Sequence, residues 1–274
     1  MHQYAVWGNP IAQSKSPSIH QLFGELTQKN ISYEAKLGDE QTFEQQIQMF
    51  FQQGAKGANI TAPFKERAFK LADLHSEGCL LAEACNTLKK LDDGRLYAEN
   101  TDGAGLCSDL ARLGWLVEKQ RVLILGAGGA TKGVLFPLLK ANQQITLYNR
   151  THEKAVELAE KFAKFGKIQA ACWEDIIQSK FDLIINATSL GLQGKYVELP
   201  QSVLVGSCVY DMQYAVDMRT PFLNYARSQG VEKYQDGLGM LVGQAAESFK
   251  LWENVLPEVE PVLAQLQTEM KKTK

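Results

Sequence analysis

Arg121-Val122-Leu123-Ile124-Leu125 runs straight into Gly126-Ala127-Gly128-Gly129-Ala130, and a helical pattern from Thr131 to Lys140 follows at once. A short apolar run of this kind suits a strand buried on both faces of a parallel sheet. Glycines after such a strand let the backbone turn tightly and approach a pyrophosphate. The helix N-terminus behind them offers free N–H groups and a partial positive charge. The order strand, glycine turn, helix is therefore read as the phosphate-binding corner of a Rossmann-type unit rather than a merely structural turn. The match to GxGxxG is incomplete, because Thr131 stands at the third glycine position. Pro137 lies inside the helical stretch and is expected to kink it or break its hydrogen bonding locally.

The next strand ends in Asn149-Arg150-Thr151, with Lys154 close behind. An NAD-specific unit places Asp or Glu near this point to hold the ribose 2′-hydroxyl. Arg and Lys there suit a 2′-phosphate instead, which favours NADP. The plain alternative is a solvated loop with two chance cations.

Working outward, strands and helical patterns alternate from end to end, the mark of an α/β protein with a largely parallel sheet. Ahead of the glycine turn, strands are expected at Tyr4–Trp7, Tyr33–Leu37, Gly57–Ile60 and Asn86–Leu91, and helices over Pro17–Lys29 and Phe43–Gln52. Ser16-Pro17 reads as a helix start with Ser16 as N-cap, and Asp92-Asp93-Gly94 as a hairpin turn. Behind it come strands at Ile145–Asn149, Ile168–Ala171, Asp182–Asn186 and Cys208–Asp211. After Asp236-Gly237-Leu238-Gly239 a helix carries Leu241, Ala245, Phe249 and Trp252 at helical spacing. The glycines and the polar Asn100–Gly105 stretch interrupt the pattern, so the domain boundary is placed there.

The chain's length suits two domains. A formal charge of −2 gives no basic face for nucleic acid or a membrane surface. The Lys271-Lys272-Thr273-Lys274 tail is read as a solvated end. Five cysteines, an odd number without a CxxC pair, argue against a disulfide framework or zinc site and are read as small buried thiols in a reducing compartment. The opening residues lack a charged region followed by a long apolar core, so no signal peptide is expected. The four histidines, His2, His20, His75 and His152, stand in no metal or triad spacing, and no G-x-S-x-G occurs. No metal is expected.

Polar clusters fall in the N-terminal half. Ser14-Lys15-Ser16-Pro17 places hydroxyls at a helix start, as a carboxylate ligand would require. Asn59-Ile60-Thr61-Ala62-Pro63-Phe64-Lys65, Asn86-Thr87 and Asn100-Thr101-Asp102-Gly103 add amides, hydroxyls, one lysine and one aspartate at strand ends. Together they suit a polyhydroxylated acid. Singly, each is more often a cap or turn residue.

With GNPI (8–11), the blocks just quoted, NATS (186–189), YDMQY (210–214), TPF (220–222) and DGLGMLVGQAA (236–246), the chain resembles the shikimate dehydrogenase family over essentially its whole length. The resemblance implies reversible NADPH-dependent reduction of 3-dehydroshikimate to shikimate, a step toward aromatic amino acids, in the cytoplasm. It implies a Rossmann-type NADP domain, 102–236, inserted into an α/β substrate-binding domain, 1–101 plus 237–274, with the site in the cleft between them. Ser14 and Ser16 would bind the substrate carboxylate. Thr61, Lys65, Asn86, Asp102 and Gln244 would surround the ring, with Tyr214 added from the YDMQY turn. Lys65 and Asp102 would be the catalytic pair. For the cofactor, Gly126, Gly128, Gly129 and Ala130 would meet the phosphates, and Asn149, Arg150, Thr151 and Lys154 the 2′-phosphate. Thr188, Ser189, Met212, Gly237 and Met240 would lie along the rest. The implied assembly is a monomer or homodimer. Two departures stand out: Gln13 replaces a frequent histidine, and Ala215–Arg219 is less basic than the family pattern.

Three rivals fit less well. A quinate/shikimate dehydrogenase of relaxed cofactor choice tends to carry an acidic residue where this chain has Arg150. A methylenetetrahydrofolate dehydrogenase would lack the Ser-Lys-Ser and NTDG blocks. A non-catalytic NADPH-binding regulator would have no reason to keep Lys65 and Asp102.

Overall fold

The RVLIL segment is the innermost part of a six-stranded sheet in a computed structural model that describes residues 1–272. Thr273 and Lys274, half of the tail read as a solvated end, lie outside the described residues, while Lys271 and Lys272 are exposed. The chain forms two compact units: residues 1–105 with 242–265, and residues 106–241 with 266–272.

The first unit is built on β1 (His2–Gly8), β2 (Ile31–Leu37), β3 (Gly57–Ile60), β4 (Leu74–His75), β5 (Thr87–Lys90) and β6 (Leu96–Glu99), ordered β2-β1-β3-β5-β6-β4. This sheet is mixed: β1 runs parallel to β2 and β3, and β4 to β6. β5 runs antiparallel to β3, and antiparallel to β6 because the Asp92-Asp93-Gly94 turn between them reverses the chain with Gly94 at φ +88. The helix Phe43–Gln52 places Phe43, Ile47, Phe50 and Phe51 against one sheet face. Phe43 stacks on Phe64 at 4.3 Å, and burying each such ring contributes about 1.5–3 kcal/mol.

The helix Leu238–Glu253 ends against this sheet. A Cβ on Gly57 would lie 2.3 Å from the Trp252 indole nitrogen, so only glycine leaves room for that ring. Trp252 Nε1 donates to the Leu88 carbonyl at 3.0 Å and its ring stacks on Tyr4 at 4.5 Å. Lys89 Nζ donates to the Leu251 carbonyl at 2.7 Å. These contacts fix the helix to β1, β3 and β5. At the start of the helix Ser16–Thr27 a correction is needed: Lys15 is the N-cap, Ser16 is already helical, and neither makes a side-chain capping bond.

The second unit holds β7 (Arg121–Leu125), β8 (Gln144–Tyr148), β9 (Ile168–Ala170), β10 (Leu183–Asn186), β11 (Cys208–Asp211) and β12 (Lys233–Asp236). Their order is β12-β11-β10-β7-β8-β9 and every pair is parallel. This is the doubly wound order, with its switch point between β7 and β10. The helix after the glycine turn starts at Gly129 and runs through Pro137 to Lys140. No break occurs at the proline, which sits in the last turn. Of the five cysteines only Cys79 and Cys85 are buried; the others are half-buried, correcting the expectation of uniformly buried thiols. Among the described residues no helix is long and apolar enough to cross a membrane, and no cluster of metal-ligating side chains occurs.

Glu253 ties the two ends of the first unit together, accepting from the Tyr4 hydroxyl at 2.6 Å and pairing with the His2 ring at 2.7 Å. Burial opposes its charge, but the Tyr4 and His2 contacts outweigh that and hold the carboxyl below its usual range. A folded pKa below the unfolded value of about 4.3 stabilises the fold above that value, and the gain is lost as pH falls through the folded value. Melting curves should therefore lose more stability on acidification in the native protein than in Glu253→Gln, converging at the acid end. Curves that stay parallel would contradict this contact.

Candidate active site

In the first unit, β1 ends at Gly8 and the chain turns through Ser14 into the helix beginning at Ser16. The Ser14 hydroxyl accepts the Ser16 N–H at 3.3 Å. Two hydroxyls stand together at the N-terminus of a 12-residue helix whose N-cap, Lys15, makes no side-chain capping bond, and the partial positive charge there suits a carboxylate. Gln13 is exposed beside them. Thr61 follows β3 and its carbonyl accepts the Phe64 N–H at 3.0 Å, closing the turn that delivers Lys65.

Lys65 and Asp102 each open a helix, Lys65–Leu71 and Asp102–Arg112. A carboxylate at such an end is favoured by the helix dipole and an ammonium is not. The pairing answers this: Lys65 Nζ donates to Asp102 Oδ2 at 2.6 Å, with the lysine side chain 33% and the aspartate 17% exposed. The second oxygen, Oδ1, accepts from Asn86 Nδ2 at 2.8 Å, and the same Nδ2 lies 3.1 Å from Gln244 Oε1. The sense of the Asn86 amide is fixed by the Thr101 backbone N–H, which donates to its Oδ1 at 2.9 Å. Lys65, Asn86, Asp102 and Gln244 thus form one hydrogen-bonded group. It presents the half-exposed Lys65 head, held by the Asp102 carboxylate, to whatever binds there. Such an arrangement can stabilise an oxygen that gains negative charge.

In the second unit, Gly126 has φ +106, and a Cβ there would come within 3.3 Å of the Ala187 carbonyl oxygen. Only glycine meets both conditions. A Cβ on Gly128 or Gly129 would meet nothing within 4 Å. Open space therefore lies over the uncapped N–H groups of the helix that Gly129 and Ala130 begin, where a diphosphate fits. Thr131, at the third glycine position, is fully buried and donates to the Gly126 carbonyl at 2.9 Å, so it braces the turn. Asn149 Oδ1 accepts the Ala127 N–H at 3.2 Å, and its Nδ2 donates to the Thr151 carbonyl at 2.8 Å. This stitches the phosphate turn to the segment carrying Arg150, Thr151 and Lys154, all exposed.

Thr188 and Ser189 follow β10. Asn186 Oδ1 accepts the Thr188 hydroxyl at 2.7 Å, and Asn186 Nδ2 donates to Asp211 Oδ1 at 2.9 Å. Two buried aspartates that sequence reasoning passed over hold the loops beyond. Asp211 also accepts the Thr220 hydroxyl at 2.6 Å, and Asp236 accepts the Ala215 and Leu238 N–H groups at 3.1 and 3.3 Å. Burial pushes both carboxyls up, and these donors offset part of the effect. They position half-buried Met212 and 37%-exposed Tyr214 on one loop, and buried Gly237 and Met240 at the start of the helix Leu238–Glu253. For Asp211 the signal was an acid ending an apolar strand, whereas Asp236 ends the polar strand Lys233–Asp236. Tyr214 belongs to the second unit, whereas the other substrate candidates belong to the first.

Three family models cover most of the chain: the shikimate dehydrogenase substrate binding domain over 6–88, shikimate / quinate 5-dehydrogenase over 110–193, and the shikimate 5'-dehydrogenase C-terminal domain over 237–267. The chain is 74% identical over 274 residues to the shikimate dehydrogenase (NADP(+)) of Actinobacillus pleuropneumoniae serotype 5b, covering 100% of both chains. Among solved structures it resembles an Ael1 enzyme from Pseudomonas putida, with TM-score 0.90, 43% identity, and 97% and 98% of the two chains covered. It also resembles shikimate 5-dehydrogenase from Thermus thermophilus in complex with NADP(H) and shikimate, with TM-score 0.84, 32% identity, and 96% and 98% covered.

A Cβ on Gly239 would sit 2.1 Å from Asp109 Oδ1. That carboxylate cannot retreat, since Tyr210 and Arg112 hold it at 2.7 and 2.8 Å. Gly239→Ala should therefore lower stability by about 1–3 kcal/mol in urea unfolding. An unchanged midpoint would show that the carboxylate moves freely.

Proposed function

The chain belongs to the shikimate dehydrogenase family, and from that premise we propose that it catalyses the reversible NADPH-dependent reduction of 3-dehydroshikimate to shikimate. The observation that carries the reading is the Lys65–Asp102 pair, braced by the amides of Asn86 and Gln244. The cofactor, when bound, supplies the hydride. Ser14 and Ser16 hold the substrate carboxylate by hydrogen bonds at the helix start. Thr61, Asn86, Gln244 and Tyr214 take the ring hydroxyls.

Lys65 Nζ stabilises the charge that develops on the C3 oxygen during reduction and passes it a proton. Asp102 keeps the ammonium aimed and accepts a substrate hydroxyl. In the oxidative direction the same nitrogen receives the proton from the C3 hydroxyl. The open glycine turn binds the diphosphate through backbone N–H groups, and Arg150, Thr151 and Lys154 hold the adenosine 2′-phosphate. Arg150 is the reason NADP is preferred over NAD and the relaxed quinate-oxidising reading is set aside. The reducing cytoplasm suits five unbridged thiols.

Lys65→Ala should cut kcat by about a hundredfold or more with a smaller change in KM, as loss of a proton-transfer and charge-stabilising group requires. An unchanged kcat would remove lysine from the chemistry. Arg150→Ala should raise KM for NADPH much more than for NADH in paired steady-state assays. Equal effects would refute the 2′-phosphate assignment.

A further inference from the structure

Asn86, Asp102 and Gln244 come from three separate stretches of the first unit, yet their polar heads lie within hydrogen-bonding reach of one another. Behind them lie three hydroxyls, one from each stretch. Thr87 follows Asn86, Thr101 precedes Asp102, and Ser248 lies one helical turn beyond Gln244. Their exposures are 0%, 3% and 0%, so a ligand cannot reach them. Ser248 Oγ is 2.7 Å from Thr87 Oγ1 and 3.2 Å from Thr101 Oγ1.

Each hydroxyl has one hydrogen, so the directions are constrained. Thr87 donates to Asn86 Oδ1 at 2.9 Å, beside the Thr101 N–H already there. Thr101 and Ser248 both reach the Gln244 carbonyl at 3.0 Å. From the far side Asn59 Nδ2 donates to Thr87 Oγ1 at 3.1 Å and Ser248 Oγ at 3.0 Å. Asn59 cannot turn round, because its Nδ2 also donates to the Asn86 carbonyl at 3.1 Å, an oxygen that only accepts, and its Oδ1 accordingly accepts the Tyr33 hydroxyl at 2.7 Å. The donors therefore run in one sense, from Tyr33 through Asn59 and Thr87 to Asn86 and on to the Asp102 carboxylate, while the Thr101 and Ser248 hydroxyls end on the Gln244 carbonyl.

We propose that Thr87 and Ser248 are positioning residues of the reaction: their buried hydroxyls fix the spacing of Asn86, Asp102 and Gln244, and through Asp102 the aim of Lys65, without touching substrate. The inference rests on the substrate-binding reading of Asn86, Asp102 and Gln244 given above. A buried hydroxyl network of this kind acts as a unit, so losing one member loosens the whole register.

The test compares Thr87→Val, which keeps shape but removes the hydroxyl, with Thr87→Ser, which restores it, and with Ser248→Ala. Asn86→Ala is measured in parallel. The readouts are kcat and the separate KM values for shikimate and NADP, with melting curves as a check of folding. Thr87→Val and Ser248→Ala should lower kcat/KM for shikimate by about tenfold or more while the KM for NADP stays within about twofold, and Thr87→Ser should recover most of the loss. Should Thr87→Val not fold, Ser248→Ala decides by the same criterion. A large effect in Asn86→Ala with none in the folded hydroxyl variants overturns the positioning role alone. A loss that falls equally on the KM for NADP overturns it as well, by exposing general loosening. No effect in Asn86→Ala overturns the substrate reading, and the inference with it.

Discussion

The polar chemistry of the first unit depends on one buried side-chain amide. Asn86 is 3% exposed, and an unsatisfied amide at that depth costs about 1–3 kcal/mol. The structure satisfies both ends. Its oxygen accepts from Thr101 and Thr87, and its nitrogen is directed at Asp102 and Gln244. Because the backbone N–H of Thr101 can only donate, the NH₂ group must face the carboxylate. Asp102 is thereby held as an acceptor, with its other oxygen on Lys65. The ion pair is half-exposed and would contribute little by itself; the amide behind it gives it a fixed direction.

The second unit solves a different problem with the backbone. Parallel strands end together at one edge of the sheet, and β7 and β10 are paired there at the switch point of the strand order. The turn after β7 is glycine because the chain after β10 passes 3.3 Å from where a Cβ would stand. Thr131 and Asn149 then fix the turn with bonds to Gly126 and Ala127. Asp211 and Asp236 play the matching part at the ends of β11 and β12: Asp211 accepts the Gln213 N–H, and Asp236 accepts the Ala215 N–H of the same loop and the Leu238 N–H after β12.

Much of this was legible in the sequence. Arg121–Leu125, Gly57–Ile60 and Phe43–Gln52 stand where apolar periodicity put them, because each is a strongly patterned segment packed into a core. The motif blocks pointed to Lys65, Asn86, Asp102 and Gln244, which the structure joins in one hydrogen-bonded group. What was not legible depends on partners distant in the chain. The antiparallel pairing of β5 with β3 follows from which edge the hairpin docks against. Ser16 looks like an N-cap, but the chain enters the helix one residue earlier, at Lys15. β12 reads Lys-Tyr-Gln-Asp and carries no apolar alternation, being an edge strand with half-buried sides. Ser248 lies within an otherwise apolar helical pattern, between Ala245 and Phe249, and gains its meaning only from Thr87 and Thr101 across space.

The most direct measurement is the change in nicotinamide absorbance when the purified protein is given shikimate with NADP, shikimate with NAD, and quinate with each cofactor. Fast turnover confined to shikimate with NADP is the expected result, since it requires the Lys65–Asp102 group and the Arg150 segment to act as described. Comparable rates with NAD or with quinate would contradict the assigned cofactor or substrate contacts, and no turnover with any pair would contradict the catalytic reading itself.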